Sequence, residues 1–411
     1  MSNVEQPSLL EKDPSIKLGD VGARLSQLLG ATGLIALLAA AALGFKQADG
    51  GRHFFHSYLV AFAWVLSIGL GALWWVTLQH LVNAKWSIVV RRVGELIAAN
   101  MPLLAVLALP IIVPVVLGNA TLFPWVDRVH MQSTHALHSK SGYLSPTFFL
   151  VRCVIYFGFW SLWSRFLLTR SRLQDSSSAS EQFVSKARGL SAPSMIGIAF
   201  TLTFASIDLL MSLDPAWFST IFGVYYFAGS VIAVHAVMIL YLNWLNSHGR
   251  LAEVLSTEHY HDLGKMLFAF TVFWAYIGFS QFMLIWYANV PEETTFYLER
   301  SHGGWIVVSY GMVLVHFVLP FFGLLSRHVK RNRKGLMFWA VWMLVVHYID
   351  LYWLIMPNFD AHNVPFSALD VLCWLGTGSV FFAAILRRSR IGFLLPTRDP
   401  RLASSMAFEN G

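Results

Sequence analysis

Ten separate stretches of roughly 20 apolar residues run through this chain, each long enough to cross a hydrocarbon core of about 30 Å. They fall near residues 23–44, 56–80, 96–117, 146–169, 192–213, 220–245, 265–290, 304–326, 335–357 and 366–387. Inside lipid a backbone must satisfy its own hydrogen bonds, so an all-α membrane protein of about ten transmembrane helices is the expected fold. Composition agrees. Of the 411 residues, 56% are hydrophobic and 12% are charged, about half the charged share of an ordinary soluble domain. Sixteen Trp and thirteen Tyr suit the aromatic belts of a bilayer interface.

Residues 1–22 read as an N-terminal tail without the shape of a signal peptide, and 391–411 as a C-terminal tail. Between them lies a membrane domain, 23–390. Its longest polar interruption, 170–191, contains the low-complexity run DSSSAS and is expected to be a mobile loop joining two halves. Lys and Arg set the orientation. Twenty-three of the 29 fall on the two tails and alternate loops, five on the opposite side, and Arg152 lies within span four. This bias places both termini in the cytoplasm and supports an even number of spans. The net charge of +7 lies in these loops, not on one exposed face, so nucleic acid is not an expected partner; lipid is.

No phosphate loop, HExxH zinc pair or GxSxG elbow occurs. Two cysteines, Cys153 and Cys373, exclude a disulfide framework, a CxxCH haem c site and a four-cysteine iron–sulfur cluster. What remains is a set of ionisable residues at membrane depth, where a charge costs several kcal/mol unless it is paired or wetted. Asp208 lies in span five, roughly 9 Å from its outer end by helix rise. His347 and Asp350 share one face of span nine. His235, His316 and Gln281 lie within spans six, eight and seven. These six groups sample successive depths and form a candidate proton path, with Gln281 as a bridge. Arg152 either snorkels outward or serves as the counter-ion of Asp208. Asp214 and Asp370 lie at span ends, where capping accounts for them. The three histidines also raise haem b, which needs two imidazoles facing each other across a bundle. His259, His261, Asp262 and Lys265 at the inner mouth of span seven read as a helix cap in preference to a metal site, so no metal is expected.

Three stretches carry a family resemblance: FHSYLVAFAWVLSIGLGALWWVTLQHLVNAKWSIVVRR (55–92), SLDPAWFSTIFGVYYFAG (212–229) and HYHDLGKMLFAFTVFWAYIGFSQFMLIWYANVPEET (259–294). Together they cover about a quarter of the chain, and the ten-span layout extends the match over nearly all of it. The sequence resembles the NrfD/polysulfide-reductase-like membrane subunits, most closely the second such subunit of alternative complex III. That assembly is a bacterial respiratory quinol:cytochrome c oxidoreductase. The resemblance implies two four-helix bundles, spans two to five and six to nine, with spans one and ten beside them. It implies an inner-membrane subunit without covalently bound cofactor or redox centre of its own, working beside haem c and iron–sulfur subunits and a sister NrfD-like subunit. It further implies quinol, whether menaquinol or ubiquinol, and proton movement through intramembrane polar residues. The rival expectations are a coupled secondary transporter, with Asp208 and Asp350 as coupling-ion sites, and a purely structural scaffold. Against the transporter stands the proline pattern: Pro102, Pro110 and Pro114 break span three, with no counterpart expected in span eight.

Overall fold

A computed structural model describes residues 13–177 and 180–410. It holds ten helices long and apolar enough to span a bilayer: α1 (Ala23–Gly44), α2 (Arg52–Leu81), α3 (Ile88–Val116), α4 (Pro146–Gln174), α5 (Ser180–Leu213), α6 (Phe222–Ser247), α7 (Thr257–Ala288), α8 (Trp305–Leu325), α9 (Arg333–Asn358) and α10 (Ala368–Ser389). The chain is an all-α multi-pass membrane protein.

Helices α2 to α5 pack as one group of four and α6 to α9 as a second, joined along α2 and α6, while α1 and α10 lie against the outside of α2. Burial follows this plan: 94% of the apolar window of α2 and 83% of that of α6 are buried, against 17% for α8 and 22% for α1. A helix hidden from lipid and water alike needs small residues where backbones cross. Gly71 of α2 is such a residue, because a Cβ there would stand 2.1 Å from the Ser230 carbonyl oxygen of α6. The first and last described segments meet on one side of the molecule. The Leu394 amide donates to the Ile16 carbonyl and the Leu251 amide to that of Ser15, so the N-terminal segment, the α6–α7 loop and the C-terminal segment form one layer.

Three sequence expectations change. The stretch 170–191 is mostly helix: α4 continues to Gln174 and α5 starts at Ser180. At about 1.5 Å per residue these helices of roughly 30 residues outrun the hydrocarbon core, so their polar ends stand in the headgroup layer as helix. Likewise α3 begins at Ile88, eight residues before the expected start, which takes Arg91, Arg92 and Glu95 out of a loop and into the bundle. Finally, broken helices are not confined to span three. Helix α8 carries a π-helical segment, Val313–Val318, followed by Leu319 and Pro320. A proline has no N–H to return to the carbonyl one turn earlier, and the turn before it widens. Trp342 donates its indole N–H to the Val315 carbonyl at 2.8 Å inside that segment.

Candidate functional site

Two buried carboxyl groups near the ends of the helices remote from the termini have opposite surroundings. Asp208 of α5 accepts two hydrogen bonds of 2.8 Å from the Arg152 guanidinium, one to each oxygen, and a third of 2.7 Å from the Tyr156 hydroxyl. Arg152 also donates to the Tyr143 carbonyl, and its guanidinium lies 3.9 Å from the centre of the Tyr143 ring. This is a closed ion pair, so Arg152 is the counter-ion of Asp208 and does not snorkel away.

Asp350 of α9 is 2% exposed and has no cation beside it among the described residues. The Tyr225 hydroxyl donates to Oδ1 at 2.5 Å and the Trp274 indole N–H to Oδ2 at 3.1 Å. On the other side of Trp274, the His316 ring stacks at 3.6 Å between centroids. His316 sits in the π-helical turn, fully buried, and neither ring nitrogen has a hydrogen-bond partner among the described residues. Such turns recur at functional sites because they push one side chain out of helical register. The result is a continuous group, Tyr225–Asp350–Trp274–His316, drawn from four helices.

The other expected members of a proton path are placed differently. His347 does not bond to Asp350, although both are on α9. Its Nε2 lies 2.9 Å from the Ser67 hydroxyl of α2, and Gly229 of α6 leaves room for its ring. His235 donates from Nδ1 to the Val231 carbonyl of its own helix at 2.7 Å, and its Nε2 has no partner among the described residues. Gln281 does not bridge the histidines. It accepts from Ser219 at 2.9 Å and donates to the Tyr297 hydroxyl at 3.1 Å, which ties α7 to the segments around it.

The His259–Lys265 motif is a cap, and it clasps the C-terminal segment as well. His259 completes a capping box with Ser256, and its Nε2 lies 3.1 Å from the Ser405 carbonyl. Asn410 donates to Glu258 and to Asp262 and accepts from Lys265, which also pairs with Asp262. His261 lies 3.9 Å from Glu258. Asp370 caps α10 and accepts from Ser57, and Asp214 accepts from the Ala216 and Trp217 amides in a turn.

Charge on the side of the termini is concentrated in a network that the sequence did not single out. Arg91 and Arg92 both reach Glu95, at 3.2 Å each; Arg91 continues to Asp399 at 2.9 Å and Arg92 to Asp175 at 3.0 Å. All five are buried, so α3, the end of α4 and the C-terminal segment are held by mutually satisfied charges.

A cavity of about 910 Å³ lies between α7, α8, α9 and the short helix Pro291–Glu299. Phe279, Phe282, Tyr310 and Phe317 line it, and Asp350 and Gln281 supply polar groups to its wall. Exposed Tyr276, Trp286 and Tyr310 mark its opening on the lipid-facing surface. The volume suits a small organic molecule. A flat apolar ligand entering from the bilayer would meet aromatic walls first and the Asp350 carboxyl at depth. Neither a protein-family model nor a curated protein matches this sequence.

Proposed function

We propose that this chain is the membrane subunit of a respiratory quinol:electron-acceptor oxidoreductase, supporting quinol oxidation and proton movement in the cytoplasmic membrane of a bacterium. The observation that carries it is the Asp350 centre at the wall of a lipid-facing aromatic cavity. Oxidising a quinol releases two electrons and two protons. The electrons pass to redox centres in partner subunits, the haem c and iron–sulfur proteins that the family resemblance implies. The protons need a group that changes charge without breaking the structure around it. Asp350 meets this need because its neighbours are neutral donors, whereas Asp208 is tied to a cation. With the basic residues concentrated on the side of the termini, that side is the cytoplasm and the Asp350 end of α9 faces outward.

A secondary transporter is the second reading, favoured by one observation: the break in α8 joins the proline-broken α3, and paired broken helices mark transporter sites. Extraction in mild detergent separates the two. A redox subunit is recovered with haem c absorbance and iron–sulfur paramagnetic signals in near-stoichiometric amounts. Recovery of the chain alone, with counterflow of a solute in proteoliposomes, would establish the transporter.

A further inference from the structure

We propose that Arg165, Arg172 and Arg388 form a binding site for the phosphate headgroup of an anionic phospholipid in the leaflet on the side of the termini. Arg165 and Arg172 are seven residues apart on α4 and so share a face, about 10 Å apart along the axis, a distance comparable to the depth of a headgroup layer. Arg388 comes from the last turn of α10, and both α4 arginines are near enough to act on it electrostatically. The Arg172 guanidinium is held there by two backbone carbonyls, Arg388 at 3.1 Å and Ile391 at 2.9 Å, and Arg388 donates to the Asn100 side chain at 3.0 Å.

Three like charges gathered at one place repel one another and call for an anion. Among the described residues none of the three forms an ion pair. The nearest carboxylates, Asp175 and Glu95, are engaged by Arg92 and Arg91. Meanwhile the buried Nε of Arg172 has no hydrogen-bond acceptor among the described residues. A phosphate supplies several oxygens to such a cluster, and guanidinium groups bind it in forked pairs.

The membrane face below the cluster favours a lipid over a free anion. Leu162, Ile155 and Val151 follow Arg165 along the same face of α4 and are exposed, at 72%, 55% and 47%. Gly158 lies among them with open space where a side chain would stand, leaving a shallow groove for an acyl chain. Basic pockets between helices at the edge of a leaflet hold acidic lipids by this combination of charge and apolar contact.

The test uses the full chain in non-ionic detergent and compares phosphatidylglycerol, phosphatidylcholine and inorganic phosphate, read by native mass spectrometry and by melting temperature. Phosphatidylglycerol is expected to bind at least tenfold more tightly than phosphatidylcholine. Arg165→Gln is expected to weaken it about fivefold and Arg165→Gln with Arg388→Gln about 25-fold, while Arg165→Lys stays close to wild type. Arg165 is exposed and makes no hydrogen bond among the described residues, so the single variant decides the matter even if the double variant fails to fold. Equal binding of the two lipids, unchanged retention in Arg165→Gln, or stabilisation by inorganic phosphate matching that by phosphatidylglycerol would overturn the proposal.

Discussion

Arg152 grips both oxygens of Asp208 at 2.8 Å. Asp350, buried to the same degree in the other bundle, faces only a phenol and an indole. One carboxyl is therefore tied to a cation, and the other accepts only from neutral donors among the described residues. Removing one member of a buried pair leaves the other uncompensated, at a cost of about 3–5 kcal/mol. Arg152→Gln and Asp208→Asn should each lower the melting temperature markedly in detergent. Arg152→Met combined with Asp208→Leu should recover most of it, because no charge is then orphaned. A melting temperature unchanged in both single variants would show that the pair does not hold α4 to α5.

The crossing of α2 and α6 brings two backbones close together. Gly71→Ala would drive a methyl group into the Ser230 carbonyl, so the helices must separate, at a cost of about 1–3 kcal/mol or more. Gly311→Ala in α8 meets nothing within 4 Å and should be neutral or stabilising by up to about 1 kcal/mol. Thermal melts of the two variants side by side check the contrast, which disappears if α2 and α6 are loosely packed.

The C-terminal segment is pinned through Asp399. Burial alone would raise this carboxyl, but the Arg91 and Arg401 guanidiniums outweigh it and hold the group well below the usual carboxylate range. A carboxyl lowered in the folded state stabilises above its unfolded value of about 3.9 and loses that contribution as the pH falls further. The segment should thus resist limited proteolysis at pH 7 and loosen only below about pH 4. Asp399→Asn should be cleaved within residues 390–410 already at pH 7. Equal protection of variant and wild type would remove Asp399 from the clasp.

The polar α4–α5 connection lies on the same side as both termini. With cytoplasmic termini, a cysteine at Ser177→Cys should resist an impermeant thiol reagent in intact cells and react after lysis. Efficient labelling of intact cells would invert the molecule and place the Asp350 end of α9 inside.

Much of this fold was legible in the sequence because a bilayer imposes one length and one polarity on every span. Its boundaries were less so, since Ser180–Ala192 and Ile88–Glu95 are polar enough to resemble loops, yet both are helix in the structure. Asp350 and His316 stood out as polar residues in apolar helices, but their partners did not. Tyr225 and Trp274 are apolar in most respects, and nothing in their spacing shows that a hydroxyl and an indole N–H converge on one carboxyl. Pro320 was a visible signal for the break in α8, whereas the π-helical turn before it depends on neighbours such as Trp342. Glu95 escaped notice because it stands beside two arginines at the edge of an apolar run, where a solvated loop is the ordinary explanation.

Asp350→Asn in the intact, co-purified assembly tests the central claim most directly. Asparagine keeps the shape and can still accept from Tyr225, but it cannot take up a proton. Measured together, quinol-dependent electron-acceptor reduction and proton release should fall at least tenfold, with subunit composition and haem content unchanged, while Tyr225→Phe falls less. Wild-type turnover and wild-type proton stoichiometry in an intact Asp350→Asn assembly would contradict the account and reduce this carboxyl to a packing element between α6, α7 and α9.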